Sequence, residues 1–210
     1  MSGNLLPKIL LFLFAALSLS AAEEISYCQM LLSEAEQKVQ GFDRQRKMYP
    51  PERAKRLSIM AVRDGSELLR KGRLAEAMAE FNRAWRFAPA NPYSYWMAAI
   101  IRSMEAMQAT RNEVKKQCFA DSLKLWEKCL PLLRESPKEV KENFALDKAA
   151  ALIQYAIFLS GTDSQRAGQF FRQADVLLEQ FQPGNDPRSR MCFERAQKMR
   201  SQIPEKEKTK

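Results

Sequence analysis

Residues 58–91 read SIMAVRDGSELLRKGRLAEAMAEFNRAWRFAPAN, and their spacing decides the fold. After the Lys71-Gly72 break, Leu74, Ala77, Met78, Phe81, Ala84 and Trp85 recur at three and four, the period of one helix face. Gly65 lies in the helix before the break. Small Ala77 and Ala84 let the second helix approach the first, Phe81 fills the space between them, and Pro89 stops the helix so that another can start at Pro92.

The same period extends outward in both directions. Ile25, Cys28, Leu31, Ala35, Val39 and Phe42 form one stripe, and Tyr93, Trp96, Ile100, Met104 and Met107 form another. Strand formers are scarce, with three Thr and five Val in 210 residues, while good helix formers dominate. The chain therefore reads as all-α, with helices expected over 25–44, 51–71, 73–88, 92–109, 111–134, 138–160, 163–181 and 187–202. Breaks rich in Pro, Gly, Asn and Ser separate them, from Tyr49-Pro50-Pro51 to Pro183-Gly184-Asn185-Asp186-Pro187. Pro131 falls inside the fifth helix and is expected to kink it or end it after Leu130.

The run Ala77-x3-Phe81-x2-Ala84-x4-Pro89, with Gly65 and Gly72 before it, resembles a tetratricopeptide repeat. Ala61 and Leu68 stand where that family carries Trp and Tyr. Ala167-x3-Phe171-x2-Ala174 after Gly161 marks a degenerate second copy over 147–183, with Glu179 in the place of the proline. Between them, 92–133 supplies a helical pair without the signature. The resemblance implies a helical-hairpin solenoid of about three repeats over 58–183, an N-terminal cap over 23–57, a C-terminal capping helix over 184–203 and a charged, disordered tail over 204–210. It also implies a concave face of first-helix residues that binds a partner and does no chemistry. Val62, Ser66, Leu69 and Arg70 are expected there from one repeat, and Tyr93, Trp96, Ile100 and Ser103 from the next, with Tyr93 and Trp96 as aromatic anchors. Packing in the core is the competing assignment for the aromatics, and a solvated helix end for Arg70.

Residues 1–22 carry the marks of a secretory signal: Lys8, the apolar run 9–17 and small Ser20 and Ala22 before Glu23. The run is too short for a membrane span, although a retained anchor is the alternative. Tyr27 before Cys28 argues against lipidation. Periplasmic or secreted localisation follows, and an oxidising compartment makes Cys28, Cys118, Cys129 and Cys192 candidates for disulfides. Cys118 and Cys129 share one expected helix, where their separation of about 16 Å exceeds the ~7 Å limit between bridged Cα atoms. Two connectivities remain, each tying Cys28 and Cys192 to that helix. Burial of all four as small apolar residues is the alternative.

The sequence holds no His, which excludes Ser-His-Asp and Cys-His nucleophile pairs and His-containing zinc sites. Phosphate-binding glycine loops, the G-x-S-x-G elbow, calcium loops and C-x-x-C are also missing, so neither metal nor cofactor is expected. A carboxylate-dependent glycan hydrolase stays formally open through Glu135, but nothing nearby supplies a second acid at a defined distance. Lys and Arg number 34 against 25 Asp and Glu. The excess gathers at Arg44, Arg46, Lys47, Arg53, Lys55 and Arg56, and again at Arg188, Arg190, Arg195, Lys198 and Arg200. Without a nucleic-acid motif, such patches point to an acidic protein or peptide partner or to peripheral contact with an anionic envelope surface. The chain thus reads as an exported adaptor or assembly factor rather than an enzyme, with self-association into a structural homo-oligomer as the alternative.

Overall fold

The structure is a computed structural model and describes residues 48–179 and 187–201. The described residues form seven helices and no strand: α1 Pro51–Arg70, α2 Leu74–Phe87, α3 Pro92–Gln108, α4 Asn112–Leu132, α5 Lys138–Ser160, α6 Ser164–Glu179 and α7 Pro187–Ser201. The protein is all-α. The expected signal segment, the helix over 25–44 and the tail over 204–210 lie outside the described residues. Two compact units are present, 1–94 and 95–210, the division falling in the first turn of α3. The expected boundary at 57/58 runs through α1, which already begins at Pro51, where a fixed φ suits the first helical position.

In the first unit, α1 and α2 form an antiparallel hairpin whose turn is dictated by Gly72. Gly72 has φ +74°, its N–H donates to Leu69 O at 3.0 Å, and the Arg73 N–H donates to Leu68 O at 3.0 Å. This is the Schellman closure, which a residue with a Cβ adopts only under strain. The helices then meet through small residues. Ala61, Ala77, Phe81 and Ala84 have no exposed surface, and a Cβ built on Gly65 would stand 2.8 Å from the Phe81 ring. The Ser58 hydroxyl donates to Ala84 O at 2.8 Å and accepts from Asn91 Nδ2 at 2.8 Å, tying the start of α1 to the end of α2.

In the second unit, α5 and α6 repeat this arrangement, with Ala167, Phe171 and Ala174 all buried. Their turn is built differently. Gly161 stays in the right-handed region at φ −82°, and α6 is capped by the Asp163 carboxylate accepting from the Arg166 N–H at 3.0 Å. Phe119 stacks on Tyr155 at 4.7 Å, and Tyr155 meets Phe170 at 4.8 Å, so α4, α5 and α6 share one aromatic core. On α7, Arg200 reaches back to Asp175 with two bonds of 2.7 Å and lies 4.7 Å over the Phe171 ring.

Pro131 does not end its helix at Leu130, since α4 continues to Leu132. In a last turn the missing N–H forgoes one bond only, and the chain closes with Leu133 N–H to Leu130 O at 3.2 Å.

Candidate functional site

The first unit carries an apolar cleft of about 1020 Å³. One wall is the outer face of the first three turns of α1, where Ala54, Ile59 and Val62 contribute the apolar surface. The other is the segment that leaves α2, with Phe87, Pro89 and Tyr93. Tyr49 also lines the cleft, its ring edge-to-face with Phe87 at 5.8 Å. Asn91 shapes the second wall: its Nδ2 holds Ser58 while its Oδ1 accepts from the Tyr93 N–H at 3.1 Å, so a Pro-Ala-Asn-Pro break becomes a fixed surface. Lys55 and Arg63 line the cleft, and the Arg53 guanidinium stands 5.2 Å above the Tyr49 ring. The result is an apolar floor with basic edges. Ile59 remains 57% exposed and adjoining Met60 46%.

Of the residues expected on an open binding face, Val62 and Tyr93 line this cleft. Ser66, Leu69 and Arg70 lie further along α1 and do not. The Ser66 hydroxyl donates to Val62 O at 2.8 Å, Leu69 is half-buried, and Arg70 is exposed and bonded to Glu67 at 2.9 Å. Lys71 first, and Arg70 after it, hold the Glu67 carboxyl below its ordinary range.

Trp96 and Ser103 require correction, because both are core residues of the second unit. Trp96 is 3% exposed, its indole N–H donates to Asp147 at 3.0 Å, and its ring packs edge-to-face on Phe144 at 5.5 Å. Ser103 is 4% exposed and shares a 2.9 Å hydrogen bond with Ser122, whose hydroxyl sits 2.9 Å from Ala99 O. Ile100 is half-buried. Beside them, Arg102 donates to the Asp121 carboxylate at 2.9 Å and pairs with Glu105, while Gln117 donates to the other Asp121 oxygen at 2.8 Å. Each charge in this buried group has a bonded partner, as burial demands.

Of the first basic cluster, Arg53, Lys55 and Arg56 are exposed on α1, whereas Arg44, Arg46 and Lys47 lie outside the described residues. In the second cluster Arg200 is committed to Asp175 and Phe171, Arg190 and Lys198 are exposed, and the side chains of Arg188 and Arg195 are outside the described set. Cys118 and Cys129 are both buried on α4, and burial pushes the Cys129 thiol up to about 12 against a weaker opposing contact from the Trp96 backbone. Cys28 and the Cys192 side chain lie outside the described residues, so the proposed bridges do too. Glu135 is exposed in the turn after α4. Among the described residues no group of three potential metal ligands converges, and no helix is long and apolar enough to cross a membrane.

Sequence reasoning passed over Tyr49, Ile59, Phe87 and Pro89. Ile59 and Met60 side by side in the first helix give no signal of a cleft, since core faces also use adjacent apolar positions, as Ala77 with Met78 and Ala84 with Trp85 show. No family model matches the chain, nor does any curated protein or solved structure.

Proposed function

We propose that the protein is a non-catalytic binding module, exported to the cell envelope or beyond, that takes an apolar segment of a protein partner in the cleft of its first unit. The observation that supports this most is the cleft itself: an open apolar floor between α1 and the 87–93 segment, edged by Lys55 and Arg63. At about 1020 Å³ the cleft stands at the upper end of the small-ligand range, and its wall is left open at Ile59, 57% exposed. Large side chains of a peptide suit it better. Two or three buried apolar anchors at about 1.5–3 kcal/mol each, less the cost of ordering the segment, correspond to affinity of roughly millimolar order. The basic edge favours acidic residues flanking those anchors and speeds encounter at low salt.

The tetratricopeptide-like arrangement of about three repeats belongs to the same proposal and rests on the Ala-x3-Phe-x2-Ala runs and the hairpins they build. Export rests on the residues of the N-terminal segment alone. Selection of a displayed random-peptide library on the full chain tests the binding reading. Retained peptides are expected to share apolar residues at helical spacing flanked by Asp or Glu, and to bind at least fivefold more weakly to Lys55→Glu/Arg63→Glu. Selection of no sequence pattern, or of basic peptides, contradicts it.

A further inference from the structure

The chain outside the described structure meets it at Met48, and Tyr49, the next residue, is already in the cleft wall. What precedes has the chemistry that the cleft fits. Ile25, Cys28, Leu31, Ala35, Val39 and Phe42 form an apolar stripe at helical spacing. Residues 25–42 carry Glu34 and Glu36 against Lys38, with Glu23 and Glu24 just before them, a net negative balance opposite in sign to Arg53, Lys55 and Arg63. As a helix, 25–42 would be about 26 Å long, and the six links from Phe42 to Met48 reach up to about 20 Å, enough to double back. We propose that residues 25–42 fold back in cis as an amphipathic helix and fill this cleft, so that a partner binds by displacing the chain's own segment. This rests on the reading of the cleft as a binding site, and adds its resident occupant.

The effective concentration of a tethered segment is in the millimolar range for a short linker, so an intramolecular contact with a dissociation constant about tenfold below that would weaken a free peptide's apparent affinity about tenfold without shutting it out. A labelled synthetic peptide of residues 23–42, kept reduced, is titrated by fluorescence anisotropy against the full chain, against Leu31→Glu/Val39→Glu, and against that variant with Ile59→Asp added. Circular dichroism checks that each loses no more helix than the released segment carries. The double variant is expected to bind at least tenfold tighter than wild type, and Ile59→Asp to remove the gain. Equal binding by wild type and the double variant would overturn cis occupancy while leaving the cleft a binding site. Binding by neither would overturn it as well, and the displayed library applied to the double variant then decides whether the cleft binds peptides at all. A second measurement needs no variant: amide exchange on wild type should show 25–42 protected. Unprotected amides there, or protection that appears only with a concentration-dependent rise in mass, would overturn the cis arrangement, the latter in favour of exchange between two copies.

Discussion

Gly72 and Gly161 occupy corresponding turns of two helical hairpins, yet the physics assigns them opposite tolerance. Gly72 has φ +74° with nothing within 4 Å of a built Cβ, so the cost of a side chain there is purely conformational. Gly72→Ala should lower stability by about 1 kcal/mol. Gly161, at φ −82°, is in a region open to any residue, and Gly161→Ala should be neutral or stabilising by about 0.5 kcal/mol through the unfolded chain. Urea titrations of the two variants check the contrast; equal losses would mean that the turns are alike. The break at each glycine is evident from sequence, but the sign of φ depends on whether the next residues close a Schellman bond or an Asp cap. Cys129 supplies a pH dependence at the same scale. Its thiol ionises at about 12 in the folded chain against an ordinary 9.0, so the folded state holds the proton longer. That contribution is fully present below pH 9 and is lost as pH rises towards 12, a change on the order of 4 kcal/mol. Alkaline denaturation midpoints should therefore shift up in Cys129→Ala relative to its own stability at pH 7, and an unchanged alkaline slope would contradict the assignment.

At the scale of elements, apolar periodicity shows which face of a helix is apolar and is silent on what covers it. The stripe of α3 is evident in the sequence, and so are the helix spans, because turn residues punctuate a strict period. Trp96 is nonetheless covered, by Phe144 and by Asp147 fifty-one residues on, and no local signal announces that pairing. Its role is testable as packing. Trp96→Ala should destabilise the second unit by about 3–5 kcal/mol, whereas Trp96→Phe, which keeps most of the ring and removes only the indole bond to Asp147, should cost about 1–3 kcal/mol. Denaturant unfolding followed by circular dichroism reads both. The cleft was hidden for the complementary reason. Tyr49 and Pro89 belong to breaks between elements and Phe87 is the last residue of α2, where sequence announces an end of structure, and only the Asn91 bonds to Ser58 and Tyr93 turn that ending into a wall.

For the whole molecule, the all-helical architecture follows from composition and period, and the small-residue contacts Ala77, Phe81 and Ala84 against Gly65 were legible in the quoted stretch. For function the sequence yields only an expectation of a class. The absence of His narrows the chemistry, and the basic charge narrows the partner, but neither places a site. The cleft on the first unit is the candidate on which the central claim rests. The most direct test is the affinity of a library-selected peptide for wild type, for Ile59→Asp on the cleft wall and for Ile157→Asp, the same change at an exposed apolar position on α5. A loss of at least tenfold at Ile59 with no change at Ile157 is the predicted result; equal affinity for all three would show that peptides bind elsewhere and would contradict the assignment.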